Sequence, residues 1–297
     1  MKKLLKYKKV FLGFSLILTL ISAAAVAYFG FKPGIDFTSG SLWQVIIPET
    51  SVDELKGFLA DGLGLNEVNI SSEEGQIYTL TMREISDGER QEMLTALKLR
   101  FGESTQEQDF WSVSPTVSKE LRTKAWWAIG LVLLSISLYI AFAFRKVSDP
   151  VSSWKYGLIT LITLSHDVLL PAGLFALLGA YKGVTVDTNF MVALLVVMGF
   201  SVHDTIVVFD RIRENLVKWE KRFDLEELID RSIAETIARS INTSITLIFV
   251  LVAIYVWGPL NLKFFILAIL VGTIAGTYSS IFIASPLLLL AGKEKRK

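Results

Sequence analysis

Six long apolar runs constrain what this chain can fold into. Each run is long enough to cross the roughly 30 Å hydrocarbon core of a bilayer, which takes about 20 helical residues. The runs cover residues 10–31, 125–144, 156–179, 188–209, 240–257 and 263–291. Hydrophobic residues make up 52% of the chain, more than soluble globular proteins usually contain. The sequence therefore predicts a multi-pass α-helical membrane protein with six transmembrane helices.

The first apolar run has two interpretations. It follows lysines at positions 2, 3, 6, 8 and 9 and contains Ala25-Val-Ala27, which resembles the cleavage site of a secretory signal. Its apolar core of about 18 residues is longer than the roughly 7 to 15 residues of a signal peptide core. We therefore favour a retained first transmembrane helix, with cleavage as the alternative.

Positive charges alternate between the two sides of the predicted helices. The opposite short loops carry only Lys182 and Lys263, whereas lysine and arginine collect in the N-terminal segment, at Arg145–Lys155, at 210–239 and at Lys293–Lys297. Since cytoplasmic loops are enriched in these residues, both termini are predicted to be cytoplasmic. The predicted parts are the basic segment and first helix at 1–31, an exported domain at 32–124, and helices two to six at 125–297 with a cytoplasmic loop at 210–239.

The exported domain shows an alternation of strand and helix patterns. The predicted strands cover 41–49, 68–72, 76–84 and 110–118, and the predicted helices cover 51–64 and 86–102. Ser51 and Glu54 have the spacing of a capping box, and Glu73-Glu74-Gly75 has the composition of a hairpin turn. The order βαββαβ predicts an α+β domain with the ferredoxin-like, split-βαβ arrangement.

Two aspartates lie deep within predicted transmembrane helices. Asp167 is near the middle of the third helix and Asp204 is in the cytoplasmic half of the fourth, each directly preceded by a histidine, His166 and His203. A carboxylate in mid-membrane costs about 2.5–3.5 kcal/mol, so such residues usually face the bundle interior and serve ion pathways. Because neighbours point about 100° apart on a helix, we expect any histidine–aspartate pairing to cross between helices.

Three interpretations of these four residues remain open. A proton or ion relay is favoured, because four titratable groups exceed what helix packing requires. Polar residues that only fix packing are the second interpretation. A metal site of two histidines and two aspartates is chemically possible, but the residues lack a ligand spacing on one helix face. We therefore expect no resident metal and no cofactor other than a transported proton or sodium ion.

The fifth helix carries a polar stripe. Arg239, Asn242, Thr243 and Thr246 follow the spacing of one helix face. Arg239 is the candidate partner of a buried acid, and its alternative role is an anchor at the cytoplasmic interface. The preceding segment, 224–238, has an N-cap at Asp224 and an apolar side, and it predicts an amphipathic helix that binds either the membrane surface or a partner.

Small residues predict close contacts between helices. Gly272, Gly276 and Ser280 repeat every four residues on the sixth helix, the spacing of close-packed membrane helices. Pro171 removes a hydrogen bond to the carbonyl of Asp167 and predicts a bend beside this acid. The chain has no cysteine, which excludes disulfides and thiolate chemistry. Since the sequence also shows no nucleotide-binding loop and no nucleophile–base set, we expect a protein that is not an enzyme and binds no nucleic acid.

Several motifs, in the same order along nearly the whole chain, resemble the SecF family of Sec protein-export membrane proteins, within the resistance-nodulation-division superfamily. The motifs are FKPGIDFTSG (31–40), HDV (166–168), GFSVHDTIVVFDRIREN (199–215), ARSINTSIT (238–246) and GTYSSIFIASPLL (276–288). The resemblance implies a subunit of the cytoplasmic (inner) membrane that pairs with SecD and attaches to the SecY-SecE-SecG channel. Further partners that it implies are YajC, a YidC-like insertase and unfolded preproteins. In this family the proton or sodium motive force drives late export.

The resemblance also implies roles for individual residues. Asp204 matches the titrating acid of the fourth helix, and Arg239 matches its partner on the fifth. Gly34, Asp36 and Gly40 match the motif that couples the first helix to the exported domain.

This sequence departs from the family pattern at His203, where asparagine is usual, and at Ser39, where glycine is usual. The histidine leaves the coupling ion open, because it places a second ionisable side chain next to the acid. Two other functions are weighed against ion-coupled export. They are half of a small-molecule or lipid exporter of the same superfamily, and a structural subunit that carries no ions.

Overall fold

A computed structural model describes residues 4–65, 67–73, 76–145, 151–219 and 223–292. Lys2, Lys3, the Glu74-Gly75 part of the predicted turn, Lys146 and the tail Lys293–Lys297 lie outside the described residues. The chain divides into two compact units. One, the helical unit, comprises Met1–Lys32 and Trp127–Lys297, and the other, the α/β unit, comprises Pro33–Trp126.

The secondary structure follows the chain in a simple order. The elements are α1 (Lys8–Phe29), α2 (Ile35–Thr38), β1 (Gly40–Ile46), α3 (Val52–Gly57), β2 (Asn69–Glu73), β3 (Ile77–Met82), α4 (Asp87–Phe101), β4 (Gln106–Val113), α5 (Pro115–Ala143), α6 (Ser153–Lys182), α7 (Thr188–Trp219), α8 (Leu225–Trp257), α9 (Lys263–Ser279) and α10 (Ser285–Ala291). Short 3-10 turns at Leu4–Tyr7 and Leu260–Leu262 precede α1 and α9. Turns of π-helix at Phe58–Gly62 and Ser280–Ala284 follow α3 and α9.

Within the described residues, six helices are long and apolar enough to cross a membrane. They are α1, α5, α6, α7, α8 and the helix formed by α9 and α10 across the π turn. The predicted multi-pass helical fold is therefore confirmed. In α6, α7 and the α9–α10 helix, half or more of the apolar window is buried, so these helices form the centre of the helical unit.

Close contacts between these helices depend on glycine. A Cβ atom on Gly272 would lie 2.2 Å from Cγ2 of Val197, and one on Gly276 would lie 2.8 Å from Cβ of Ser201. Both glycines therefore let α9 approach α7 as the small-residue spacing predicts. Gly173 of α6 does the same for α1, because a Cβ there would lie 2.6 Å from Cα of Ser22.

The amphipathic segment 224–238 is the first part of α8, not a separate helix. Its apolar residues Leu228, Ile229 and Ile233 are buried in the same core as Ile212 and Leu216 of α7. Asp224 lies at the predicted N-cap position, but its side chain makes no capping hydrogen bond. Since this chain itself covers the apolar side, the segment does not offer that side to a membrane surface or to another protein.

The N-terminus is held against this part of α8. The backbone N–H of Leu5 donates to Oδ1 of Asp230 (2.9 Å), and both residues are buried. Nζ of Lys8 lies 3.2 Å from Oε2 of Glu226, in a more exposed ion pair. Among the described residues, this hydrogen bond and ion pair connect the start of α1 to the start of α8, together with the packing of Leu5 in the apolar core that includes Leu228.

The α/β unit contains, among its described residues, a four-stranded antiparallel sheet of order β2-β3-β1-β4. Because β3 lies between β1 and β2, the helix α3 connects strands that are not neighbours, as the split-βαβ prediction requires. Trp43, Val45 and Leu80 point from the sheet into a core that also contains Leu59 of the π turn after α3 and Leu97 of α4. This alternation explains why the strand pattern of SLWQVI was readable from the sequence.

The last predicted strand was placed wrongly. The prediction covered 110–118, whereas β4 begins at Gln106 and α5 begins at Pro115. Gln106, Gln108 and Asp109 are exposed because β4 is an edge strand, so its first half lacks apolar alternation. Proline at the first position of a helix needs no N–H partner, and Pro115 therefore starts α5 ten residues before the predicted apolar run.

The predicted capping box at Ser51 is only half formed. Oγ of Ser51 accepts a hydrogen bond from the N–H of Glu54 (3.2 Å), but in the described chain the Glu54 carboxylate contacts Arg100 instead (3.3 Å). A complete box is present at α4, where Ser86 and Glu89 bond each other's backbone N–H. The predicted helix 51–64 also ends differently, because α3 passes into the π turn Phe58–Gly62.

The motif GIDFTSG forms α2 and the turn into β1. The Gly34 carbonyl accepts hydrogen bonds from the N–H groups of Phe37 and Thr38, and Asp36 lies in the first turn of α2. Ser39 then adopts φ 67° and ψ 163°, and Gly40 follows with φ 128°. A Cβ on Gly40 would lie 2.5 Å from the carbonyl oxygen of Met82, so glycine is required there. At Ser39, a conformation that favours glycine is occupied by serine.

Candidate functional site

Asp167 is fully buried where α6, α7 and α9 meet. Its Oδ2 accepts hydrogen bonds from Oγ of Ser201 on α7 (2.5 Å) and from Oγ of Ser279 on α9 (2.7 Å). Its relative exposure is 0%. Two serine hydroxyls from two other helices therefore converge on one carboxylate oxygen. The hydrogen bonds of this acid thus contribute to the packing of three helices.

The expectation that His166 and Asp167 cannot pair within one helix is wrong. Nδ1 of His166 lies 2.8 Å from Oδ1 of Asp167. The 100° separation describes the directions of the Cα–Cβ bonds, whereas the longer imidazole and carboxylate side chains bend back toward each other beyond Cβ. Nε2 of His166 is buried and, among the described residues, has no hydrogen-bond partner. The pair therefore has one ring nitrogen engaged by the acid and one without a partner.

Asp204 is buried one turn after Ser201 on α7, with 2% relative exposure. Its Oδ2 accepts a hydrogen bond from Oγ of Ser244 on α8 (3.3 Å), and Oγ1 of Thr277 on α9 lies 2.6 Å from that Ser244 oxygen. Nδ1 of His203 lies 4.0 Å from Oδ1 of Asp204, beyond hydrogen-bond distance. The His203 side chain is 67% exposed, so it lies on the outside of the helical unit.

The polar stripe of α8 lies on one face, as its spacing predicts, but that face points away from Asp204. Arg239, Asn242, Thr243 and Thr246 are exposed, and among the described residues no carboxylate lies within salt-bridge distance of Arg239. The face that meets Asp204 carries Ser240 and Ser244, both buried. Within this chain alone, the structure thus does not bring Arg239 and Asp204 together.

The remaining predicted residues lie at several places. Pro171 is buried in α6 one turn after Asp167. Ser280 begins the π turn next to Ser279, and such turns interrupt helices at functional sites. Gly34, Asp36 and Gly40 belong to the α/β unit. Searched over the described residues, the chain has no group of three or more His, Asp or Glu side chains placed to hold a metal ion.

Four hydroxyl residues around the acids were not singled out from the sequence. Ser201, Ser244, Thr277 and Ser279 all lie within the motifs that carry the family resemblance. Serine and threonine are ordinary in membrane helices because they can bond their own backbone, so hydropathy does not mark them. These residues are distinguished only by their positions opposite a buried acid. Those positions depend on how neighbouring helices pack, which the sequence of one helix does not show.

The arrangement is suited to binding and releasing a proton or small cation. Burial disfavours a charged carboxylate, whereas the hydroxyl donors stabilise it. Because the two effects oppose each other, small changes in helix position can alter the balance between the charged and the neutral form of each acid. A carboxylate with hydroxyl oxygens around it also supplies the oxygen ligands that hard cations prefer.

Comparisons with known proteins agree with this architecture. Residues 93–294 match the family of the protein export membrane protein SecD/SecF, C-terminal. The protein translocase subunit SecF of Thermobaculum terrenum is 42% identical over 98% of this chain and 94% of its own length. The protein translocase subunits SecF of Anaerolinea thermophila and a Synechocystis species are each 35% identical, over 98% and 96% of this chain.

Two solved structures are also similar. The crystal structure of SecDF, a translocon-associated membrane protein from Thermus thermophilus, has a TM-score of 0.83 and 31% identity over 96% of this chain. SecDF in a super-membrane-facing form has a TM-score of 0.67 and 30% identity. This chain spans only 38% of the length of either solved chain. Since the family match covers more than half of the sequence and the relatives match almost end to end, the chain belongs to the SecF family of protein translocase subunits.

Proposed function

We propose that this chain, together with SecD, uses the proton or sodium motive force to promote late export of unfolded preproteins through the SecY-SecE-SecG channel. The observation that carries the proposal is the burial of Asp167 and Asp204 among hydroxyl groups from neighbouring helices. Acids at this depth are costly and usually mark an ion pathway. In this proposal Asp204 is the principal titrating acid, Asp167 with His166 is a second relay group, and the protein is a transporter subunit with no resident cofactor.

The energy of one ion is adequate for a conformational cycle. One elementary charge that crosses 100 mV releases about 2.3 kcal/mol. A difference of this size shifts a two-state equilibrium by roughly one to two orders of magnitude. It is too small to unfold a stable domain in a single step, which agrees with a substrate that arrives unfolded.

The exposed polar residues of the helical unit support SecD as a partner. Arg239, Asn242, Thr243 and Thr246 lie exposed on α8, and His203 lies exposed on α7. Polar side chains at membrane depth are rare on a surface that faces lipid, because no water is present to hydrogen-bond them. We propose that SecD covers this surface and supplies Arg239 and His203 with their polar surroundings.

The proposed setting is the cytoplasmic (inner) membrane with both termini in the cytoplasm and the α/β unit exported. The alternation of lysine and arginine between loops supports this orientation. The motif with Gly34, Asp36 and Gly40 then links α1 to the exported part. YajC and a YidC-like insertase are further proposed partners.

Export driven by an imposed gradient tests the proposal directly. Vesicles that contain this chain, SecD and the SecY-SecE-SecG channel would receive a pH gradient or a sodium gradient. Asp204→Asn should abolish the stimulation of export by the gradient, whereas Asp210→Asn should retain it. Asp210 is the matched control, because it is an exposed acid on the same helix that pairs with Arg213 (3.0 Å).

The same assay shows which ion drives export, and it distinguishes an ion-coupled subunit from a structural subunit. His203→Asn should change the pH optimum or the preference between the two gradients, since it removes an ionisable group 4.0 Å from Asp204. If Asp204→Asn assembles and retains full stimulation by either gradient, the chain is a structural subunit and ion coupling is refuted.

A further inference from the structure

Helix α9 reaches both buried acids through two hydroxyl side chains. Oγ of Ser279 donates directly to Oδ2 of Asp167 (2.7 Å). Two residues earlier, Thr277 reaches Asp204 through Ser244 on α8, with oxygen–oxygen distances of 2.6 Å and 3.3 Å. Asp167 lies on α6 and Asp204 lies on α7, so hydrogen bonds to one short segment of α9 connect acids on two different helices.

Each hydroxyl in this connection has a second acceptor within reach. Oγ of Ser279 lies 3.2 Å from the carbonyl oxygen of Gly276, and Oγ of Ser244 lies 2.8 Å from the carbonyl oxygen of Ser240. Oγ1 of Thr277 lies 2.8 Å from a main-chain carbonyl one turn earlier in α9. Because a hydroxyl has one proton, it donates to only one acceptor at a time. The hydrogen bonds of all three residues therefore have two alternative arrangements.

Protonation of either acid selects between these arrangements. An ionised carboxylate only accepts hydrogen bonds, whereas a protonated carboxyl group also donates one. When Asp204 is ionised, Ser244 donates to it and accepts from Thr277. When Asp204 is protonated, it donates to Ser244, and the Ser244 proton turns to the carbonyl of Ser240. The Ser244 oxygen is then no longer polarised by a carboxylate and becomes a weaker acceptor, which favours the bond from Thr277 to the main-chain carbonyl of α9. Protonation of Asp167 shifts Ser279 toward the carbonyl of Gly276, because a neutral carboxyl oxygen is a weaker acceptor than a carboxylate oxygen.

Few other titratable or charged groups face the two acids. His166 lies 2.8 Å from Asp167, His203 lies 4.0 Å from Asp204, and Arg239 is on the exposed face of α8. The hydroxyl of Tyr278 on α9 is bonded to Ser15 of α1 (3.1 Å). By sequence, α1 carries no charged residue after Lys9, α8 none after Arg239, and the α9–α10 segment none between Lys263 and Lys293.

The segment of α9 that makes these contacts ends at a break in the regular helix. Ser279 is the last residue of α9, and the π turn Ser280–Ala284 follows it. Hydroxyl bonds to a preceding backbone carbonyl bend helices, and π turns are points where the regular hydrogen-bond ladder is already interrupted. A change of acceptor at Thr277 and Ser279 therefore acts on the part of the helix that deforms most easily.

We propose that Thr277 and Ser279 are positioning residues that couple the protonation of Asp204 to the protonation of Asp167 through α9. This inference extends the proposed ion relay, in which both acids titrate. Neither hydroxyl is the proton acceptor, and each acts by holding or releasing an acid. Since such coupling is reciprocal, protonation of Asp167 must affect Asp204 as strongly as the reverse.

Infrared titration of the full chain in lipid nanodiscs tests this coupling without a gradient or a partner. Aspartate labelled with ¹³C identifies the carboxylic C=O band, and the band that Asp167→Asn removes belongs to Asp167. In the otherwise unchanged chain, Asp204→Asn should shift the titration midpoint of the Asp167 band by about one pH unit. In a Thr277→Val background the same substitution should shift that midpoint by less than half as much.

Thr273→Val is the matched control for Thr277→Val. Thr273 is buried one turn earlier on α9, its Oγ1 has no hydrogen-bond partner in the described chain, and the substitution keeps its main-chain carbonyl. It should therefore leave the shift of about one pH unit intact, and Thr277→Ser, which keeps the hydroxyl, should restore it. If Thr277→Val fails to fold, Ser279→Ala must abolish the shift from the other end of the connection.

Two results overturn the proposal. One is no shift of the Asp167 band with Asp204→Asn in the otherwise unchanged chain. The other is an equal effect of Thr277→Val and Thr273→Val. Because this titration needs no transport, its failure leaves the export assay unaffected, and loss of gradient-driven export leaves the titration result standing.

Discussion

At the scale of single residues, Ser39 is held in a backbone conformation that suits glycine. Its φ of 67° and ψ of 163° place it in a region that costs other residues about 1–3 kcal/mol. Replacement by glycine removes this strain but raises the entropy of the unfolded chain, which costs about 0.4–1 kcal/mol. Ser39→Gly should therefore stabilise the α/β unit by about 1 kcal/mol. Hydrogen exchange of the most protected amides in β1 and β3 should slow about fivefold.

Ser39→Ala is the control for this prediction. It removes the hydroxyl, whose oxygen lies 2.5 Å from the carbonyl oxygen of Thr38, but it keeps the Cβ and hence the strain. Its exchange rates should match or exceed those of the unchanged chain. An equal stabilisation by alanine and glycine would show that the hydroxyl, not the backbone conformation, is unfavourable.

Glu89 gives the α/β unit a dependence on pH. The hydrogen bond from the Arg83 guanidinium (2.7 Å), followed by that from the backbone N–H of Ser86, lowers the pKa of Glu89 from 4.5 to about 2. A lowered folded-state pKa stabilises the protein above the unfolded pKa, and this contribution is lost as the pH falls from 4.5 toward 2. Glu89→Gln should therefore lower the urea midpoint of the α/β unit above pH 4.5 and have no effect near pH 2.

Arg83→Gln checks the cause of this dependence. Glutamine at position 89 still completes a capping box, so the substitution Glu89→Gln isolates the charge. With Arg83 replaced, the effect of Glu89→Gln should depend only weakly on pH. A pH dependence that persists unchanged would assign it to another group.

Burial inside the helical unit was predictable for residues that violate a local rule. Asp167 and Asp204 stand out because a carboxylate is costly inside an apolar helix. Ser201 and Ser279 violate no rule in isolation, and their importance arises only where three helices meet. Arg239 was assigned to the correct face with its neighbours, but the spacing of one helix does not indicate which neighbour that face meets.

At the scale of elements, the start of α1 depends on a buried acceptor in α8. Asp230→Ala would leave the buried N–H of Leu5 without this partner, which costs about 1–3 kcal/mol. The turn Leu4–Tyr7 should then open more often, and trypsin should cleave after Lys6 at least about fivefold faster. Limited proteolysis of the purified chain measures this rate.

Two variants separate the buried hydrogen bond from surface charge. Asp230→Asn keeps an acceptor oxygen and should remain close to the unchanged chain. Glu226→Gln removes the exposed ion pair with Lys8, which is worth under about 1 kcal/mol, so it should also have a small effect. Faster cleavage in all three variants would mean that net charge, and not the hydrogen bond to Leu5, holds the N-terminus.

The contact between α7 and α9 permits little change of volume. Gly276→Ala would place a Cβ 2.8 Å from Cβ of Ser201, and such overpacking costs about 1–3 kcal/mol. The thermal unfolding midpoint of the purified chain should therefore fall. Gly199→Ala is the control, because a Cβ at Gly199 of α7 would meet no atom within 4 Å. An unchanged midpoint for Gly276→Ala would show that α7 and α9 separate easily.

Elements were predictable where their hydrophobic periodicity was complete. The six apolar runs and the alternating β1 were read correctly because burial on a helix or one sheet face imposes a simple pattern. The start of β4 was missed because an edge strand with polar residues on both faces lacks that pattern. The π turn Ser280–Ala284 leaves no trace in composition, since it inserts one residue into an otherwise regular apolar helix.

At the scale of the whole molecule, the surface of the helical unit points to a larger assembly. This chain spans 38% of the length of the solved SecDF chains. Lipid would leave the exposed polar face of α8 without hydrogen-bond partners, because the hydrocarbon core contains no water. The polar residues of this face are exposed and contribute little to the core of the chain. Substitutions there can therefore affect assembly without affecting folding.

The triple substitution Asn242→Leu, Thr243→Val and Thr246→Val should weaken assembly with SecD without unfolding the chain. Loss of several interhelical hydrogen bonds, each worth about 0.6–2 kcal/mol in membranes, should reduce the fraction of SecD that copurifies by about tenfold or more. The thermal midpoint of the chain alone should stay unchanged. Ile245→Val, on the same exposed part of α8, keeps an apolar side chain and should copurify normally. Normal recovery of SecD with the triple variant would place the interface elsewhere, and α8 would then face lipid despite its polar side chains.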